Sequence, residues 1–227
     1  MIYISLKFDD GHFSQYETGF KLLKEFDMVG TFYMATDKIG EDYAWPCRTV
    51  PYLNYNNLKD LVDYKNEIGS HSKSHEREWV DKEDDKLKHE ICGSLFDLRM
   101  KKIHAKTFCF PYLEVSDRAI NLCKKYYKGY FTDYSEDRMK KVIDKEIKSI
   151  PTRYGLEKLI NAINKDQETD KDEWLVITFH EIIPDPSEVG ITEVDFKFIL
   201  KEINKGVKNN THKVVTVFDG LNIFSKN

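Results

Sequence analysis

Little in this chain marks it for a nucleic acid, a membrane or an oxidising compartment. Its 35 basic and 39 acidic residues leave a net charge of −4, so it has no basic excess with which to hold a polyanion. No apolar run approaches the roughly 20 residues that a bilayer-spanning helix requires. The four cysteines, Cys47, Cys92, Cys109 and Cys123, include no CxxC pair and no zinc-knuckle spacing. Free thiols in a reducing compartment are therefore the expected state. No basic-then-apolar leader opens the sequence, which favours a cytoplasmic protein. Internal repeats and low-complexity tracts are lacking as well. What remains is an ordinary globular composition, 41% hydrophobic over 227 residues, read as one domain spanning residues 1–227.

Short β-type runs alternate with longer amphipathic stretches. Strands are expected near Ile2–Phe8, Thr31–Met34, Glu67–Ser70, Thr107–Phe110, Gly129–Thr132, Ile147–Ile150, Trp174–Phe179 and Val214–Val217. Helical spacing of apolar residues marks Phe13–Phe26, Lys82–Met100, Ser116–Tyr127, Leu156–Asn164 and Glu193–Val207 between them. Ser116 with Asp117 suits the cap of the third. Repeated β–α units imply a parallel sheet, and seven or eight of them imply closure into a distorted (β/α) barrel. Glu41–Tyr55, with Trp45, Tyr52 and Tyr55, reads as a long functional loop, and Asp166–Glu173 as an acidic linker.

The chemistry concentrates at strand ends. Phe8-Asp9-Asp10-Gly11-His12 sets two adjacent carboxylates where the first strand meets a glycine turn. Neighbouring strand residues face opposite sides, so the two acids cannot do one job from one face. Different surroundings would let one hold a metal while the other moves a proton. His71 and His75, four residues apart after the third strand, would with one of the aspartates make three protein ligands and leave positions open for water and substrate. His180 ends the most apolar strand and suits a general acid near neutral pH. In an α/β barrel such C-terminal strand ends share one rim, where catalysis occurs. His12 is either a substrate contact or a turn residue; His89, His104 and His212 have polar surroundings.

Phe8-Asp9-Asp10-Gly11, His71-Ser72-Lys73-Ser74-His75, Phe110-Pro111-Tyr112, and Trp174 followed by Phe179-His180 resemble the successive motifs of the polysaccharide deacetylases, the NodB-homology proteins of carbohydrate esterase family four. The order and spacing agree from residue 1 to about residue 185. The resemblance implies a NodB-like barrel with one divalent metal, zinc first, with cobalt, nickel or iron as alternatives. It implies Asp10, His71 and His75 as metal ligands, Asp9 as base and His180 as acid. It also implies the Tyr112 backbone N–H as a donor to the oxyanion, with Trp174 and Phe179 as an apolar wall around the acetyl methyl.

Three departures from the family pattern stand out. The third motif often carries an arginine that orients the catalytic aspartate, but here it reads Phe108-Cys109-Phe110-Pro111-Tyr112-Leu113; Arg153 is the candidate to supply that charge. Lys7 stands where a small hydroxyl residue is usual and shares a strand face with Asp9. Leu113 replaces a glycine. The expected activity is metal-dependent removal of N-acetyl groups from an amino-sugar glycan or glycan precursor. The alternatives are a hydrolase of a small or cyclic non-sugar amide, and a non-catalytic carbohydrate-binding barrel. The expected partner is an N-acetylated sugar or oligosaccharide, with no nucleic acid and no membrane span.

Overall fold

The computed structural model describes residues 1–45, 48–166 and 170–225. Its strands are β1 (Ile2–Phe8), β2 (Thr31–Met34), β3 (Asp42–Trp45), β4 (Arg48–Pro51), β5 (Glu67–Ser70), β6 (Thr107–Cys109), β7 (Gly129–Tyr134), β8 (Glu146–Pro151), β9 (Glu173–Phe179) and β10 (His212–Val214). All but β3 and β4 run parallel in the order β10-β1-β2-β5-β6-β7-β8-β9, and β1 also pairs with β9 along its whole length. That last pairing closes seven strands into a barrel. β10 is an extra strand on the first residues of β1, opposite Ile2, Tyr3 and Ile4, whereas β2 takes the same edge higher up at Lys7 and Phe8.

Strand parity separates two cores. Ile2, Ile4, Leu6 and Phe8 of β1 and Leu175, Ile177 and Phe179 of β9 pack outward with Phe196, Ile199 and Leu200, apolar residues of the long helix over Glu193–Lys208. Tyr3, Tyr33, Cys109, Phe131, Ile147, Trp174 and Val176 form the second cluster, inside the barrel. Strands buried on both faces read as continuous apolar runs, which is how β9 reads.

The barrel floor corrects an expectation. The run expected as a strand over Val214–Val217 stops at Val214, and a helix covers Val217–Phe224. Thr216 is its cap, accepting the Asp219 N–H at 3.2 Å and donating its hydroxyl to the Asp219 carboxylate at 2.8 Å. This threonine-to-acid capping signature outweighs the β propensity of the valines. The helix sends Val217, Leu221 and Phe224 into the barrel beneath Trp174. A Cβ on Gly220 would lie 2.4 Å from the Trp174 ring. Gly220→Ala is therefore expected to destabilise the fold by about 1–3 kcal/mol, although alanine in a helix interior ordinarily gains up to about 1 kcal/mol. Urea unfolding midpoints give the sign.

The other helices follow the expected spacing. Phe13–Phe26 contains a π-helical turn over Gln15–Phe20 continued by a helix over Lys21–Glu25, and Lys82–Met100 is helical from Asp84 with a π-helical segment over His89–Gly93. Ser116 caps the helix over Asp117–Tyr126 by accepting the Ala119 N–H. The segment expected as a loop over Glu41–Tyr55 instead carries the antiparallel pair β3–β4; Pro46 and Cys47 lie outside the described residues, as do residues 167–169 of the expected acidic linker. Asn54 then caps a helix over Tyr55–Asp63. Among the described residues no helix is long and apolar enough to cross a membrane.

Candidate active site

The two aspartates part company because the backbone changes hand between them. Asp9 still belongs to the sheet, donating its N–H to the Phe179 carbonyl at 2.9 Å. Asp10 and Gly11 both take left-handed conformations, φ 75° and 77°. Ser72, His75 and Tyr112, on the neighbouring loops, are also left-handed at φ 67°, 62° and 57°. Such conformations cost energy in non-glycine residues and persist where the surroundings hold them.

The His71–His75 segment is a strapped loop rather than a helix. His71 extends β5 by donating its N–H to the Met34 carbonyl at 2.8 Å. Buried Glu90 then accepts the N–H groups of Lys73 (3.0 Å) and Ser74 (2.9 Å) and the Ser74 hydroxyl (2.7 Å). The Ser72 hydroxyl accepts the His75 N–H at 3.1 Å, and Lys73 spans Asp37 and Asp97 at 2.8 and 2.6 Å.

The result is a convergence of donor atoms. Asp10 Oδ1 lies 3.1 Å from His71 Nε2 and 3.0 Å from His75 Nε2. His71 Nδ1 is 2.8 Å from the Cys109 carbonyl, which can only accept, so Nδ1 carries the proton and a neutral His71 turns its Nε2 lone pair toward Asp10. Two acceptors facing each other at that distance need a proton or a cation between them. The donor set therefore fits a divalent metal, with the Cys109 carbonyl fixing the tautomer as outer partners of ligand histidines do. Burial alone would raise the Asp10 carboxyl, but the imidazoles of His12, His71 and His75 gathered around it outweigh that and hold it well below the usual carboxylate range. Burial would lower His75; Asp10 outweighs that, and its pKa is raised.

Asp9 is held differently. Burial would raise its carboxyl, but Lys7 and then His71 and His180 pull it below the ordinary value. Its Oδ2 is ion-paired with the Lys7 ammonium, 1% exposed, while its Oδ1 is buried with no hydrogen-bond partner. His180 follows on β9 across the rim. Burial pushes its pKa down, only partly offset by Asp10 and Asp9, and its Nδ1 is likewise buried without a partner. Gln15 ties the two ends together, its amide donating to the carbonyls of Asp9 and of His180, the latter at 2.9 Å.

Three sequence expectations are corrected. Trp174 shares the inward parity of His180 but sits six residues earlier, about 20 Å down the strand; it is 0% exposed, and its indole N–H donates to Ser5 Oγ at 3.0 Å on the barrel floor. Phe179 is adjacent to His180 and so has the opposite parity, packing outward on Phe8 and Phe196 with centroids at 5.4 and 5.0 Å. Neither forms a wall at the rim. Arg153 is exposed, with its guanidinium 4.6 Å from the Tyr134 ring centroid; the cation on Asp9 is Lys7. Tyr112 does stand at the rim, its ring 4.8 Å from that of His75 and covered by the Arg77 guanidinium at 3.5 Å.

His12, Gln15 and Glu90 belong to the site as well; His12 was legible only as a substrate contact or a turn residue, and Gln15 and Glu90 carried no signal in the sequence. His12 is buried, 3.4 Å from Asp10 Oδ2, and stacks on Tyr52. A histidine two residues after a carboxylate in a glycine turn was the available hint. Glu90 was hidden in an amphipathic helix, where an acid normally faces water. Tyr55 opens its helix under Lys101 and packs on the outer core.

Solved structures share this architecture. A family 4 acetyl xylan esterase from Clostridium thermocellum, in complex with a cobalt ion, superposes with a TM-score of 0.61 at 17% identity, over 97% of this chain and 91% of that one. A family 4 carbohydrate esterase from Streptomyces lividans in complex with acetate gives 0.60 at 14%, over 93% and 91%. A mutant of BA3943, described as a CE4 family pseudoenzyme, gives 0.63 at 15%, over 96% and 67%. No curated protein matches the chain. The family model for polysaccharide deacetylase matches residues 2–130, which hold Asp9, Asp10, His71, His75 and Tyr112 and make up more than half of the chain, and the protein belongs to the polysaccharide deacetylase family of enzymes.

Proposed function

We propose that this protein is a metal-dependent deacetylase that removes N-acetyl groups from an amino-sugar glycan or glycan precursor, with residues 1–227 acting as one catalytic domain. The observation that carries the reading is the meeting of Asp10 Oδ1 with both imidazole Nε2 atoms at 3.1 and 3.0 Å beside a separately held Asp9. Asp10, His71 and His75 are the proposed ligands of zinc; cobalt, nickel and iron suit the same donors. A divalent cation held there supplies polarisation of the acyl carbonyl and acidification of water.

The remaining work falls to the chain. Asp9 Oδ1, buried and unpartnered, takes the proton from the attacking water. The Tyr112 N–H donates to the carbonyl oxygen as negative charge develops there, an interaction strongest in the transition state. His180 protonates the leaving nitrogen. Its lowered pKa means that it rests neutral at pH 7 and collects its proton during the cycle, with Asp9 as the nearby source.

The test is acetate release from short N-acetylglucosamine oligomers by metal-stripped protein, before and after zinc or cobalt is restored. Metal-dependent release supports the reading. Tight metal binding without acetate from any oligomer moves it to a small-molecule amide or to a binding-only barrel, and no metal binding removes the site. Glu90→Gln is expected to keep the fold but lower zinc affinity on the order of tenfold, read by competition titration, because the Lys73 and Ser74 amides lose their charged acceptor.

A further inference from the structure

Among the described residues the ammonium of Lys7 belongs to the most deeply buried lysine or arginine, 1% exposed, and it lies against only one of the two Asp9 oxygens. Lys7 sits two residues before Asp9 on β1, in register with Thr31 of β2 and Thr178 of β9. Its ammonium is 4.8 Å from the Phe131 ring centroid and 5.3 Å from that of Tyr33. These aromatic faces favour a cation and exclude water from it. A lysine so enclosed persists only with a charged, hydrogen-bonded partner, and that partner is Asp9 Oδ2. The Cys109 thiol approaches the same oxygen at 3.7 Å. Asp9 Oδ1 is left without a partner, on a carboxylate that cannot turn without breaking the ion pair.

We propose that Lys7 is a positioning residue: it anchors Asp9 by Oδ2 from inside the barrel and so commits Oδ1 to proton transfer at the rim. The proposal rests on the deacetylase reading above. It gives this chain a source of positive charge on the base's own strand, where the third motif offers none. Cys109 is the third-motif side chain that reaches Asp9, and a thiol brings no positive charge. Arg153 is engaged at Tyr134 instead. Arginine and lysine differ in reach and shape, and here the ammonium reaches Asp9 along its own strand, over the faces of both the Tyr33 and Phe131 rings.

The experiment compares the metal-loaded wild type with Lys7→Gln, which keeps length and a donor but removes charge, and with Lys7→Gln/Cys109→Arg, which returns charge from β6, across the barrel interior, at the side chain that already reaches Asp9. Lys7→Gln is expected to lower kcat about 100-fold, the scale of a catalytic group displaced by about 1 Å, with KM and metal stoichiometry within about twofold. Cys109→Arg in that background is expected to restore at least about tenfold of it. Unchanged kcat in Lys7→Gln, or parallel loss of kcat, KM and metal that Cys109→Arg does not relieve, would overturn the proposal. If Lys7→Gln does not fold, the wild-type Lys7 ammonium resonance decides. A slowly exchanging signal displaced by Asp9→Asn supports the anchor, and a signal indifferent to Asp9→Asn overturns it. A wild type that releases no acetate from any oligomer instead counts against the deacetylase reading itself.

Discussion

Asp9→Asn is expected to abolish turnover and weaken the fold in one step. Loss of a positioned general base costs about 10²–10⁴-fold in rate, visible as acetate release falling to background while zinc still binds. The structural loss has a different origin. Asparagine leaves the Lys7 ammonium buried against the Tyr33 and Phe131 rings with no counter-charge, and breaking one side of a buried pair costs about 3–5 kcal/mol. Asp9→Asn combined with Lys7→Gln removes both charges. It is expected to recover most of the stability and none of the turnover. The two effects thus separate in a double-mutant cycle followed by urea unfolding and by acetate release. Equal stability of Asp9→Asn and wild type would contradict the pair.

The same pair sets an acid limit on the fold. The Asp9 carboxyl is depressed in the folded protein because Lys7, His71 and His180 outweigh burial, while an unfolded aspartate titrates near about 3.9. A depressed carboxyl contributes stability that is fully present above the unfolded value and is lost as pH falls through the folded one. Wild type is therefore expected to lose stability below about pH 4 more steeply than the Asp9→Asn/Lys7→Gln protein, in unfolding curves from pH 6 to pH 3.

Periodicity made the barrel legible, and parity explains most of what was misread at the site. The expected limits of β1, β2 and β5 coincide with the strands; for β1 the reason is plain, since a largely apolar run buried on both faces and stopped by Asp9-Asp10-Gly11 has few other readings. Asp10, His71 and His75 stood at strand ends and meet there. The resemblance implied Trp174 and Phe179 as a wall beside His180, but a strand sends alternate residues to opposite faces and carries even a same-face neighbour away by height. Lys7 was legible as sharing a face with Asp9, while its partner was not, since an inward lysine and an outward one look alike until the barrel closes. Gln15 and Glu90 are bound to backbone groups far along the chain, His180 and Ser74. Only tertiary structure creates those acceptors and donors.

Asp10→Ala is expected to remove metal binding, and the pH dependence of that binding identifies the mechanism. Asp10 Oδ1 is the atom that both imidazoles share. Its loss should cost more than the roughly 100-fold upper range seen for outer partners of a metal ligand. Asp10 also raises the His75 pKa against the effect of burial. In the metal-free protein His75 therefore keeps its proton to higher pH than an ordinary histidine, and below its raised pKa an incoming metal must displace that proton, since a histidine binds metal only when neutral. Zinc affinity should rise with pH while His75 is protonated and level off above its raised pKa, with a proton released on uptake in weakly buffered solution. Removing the carboxylate takes away the acceptor that raised His75, so any residual binding in Asp10→Ala should level off at lower pH than in wild type. Competition titrations across pH 5 to 9 measure both slopes. A wild-type affinity that is flat over that range would mean that His75 is already neutral when the metal arrives, and the short contact from His75 to Asp10 would then require a different proton inventory.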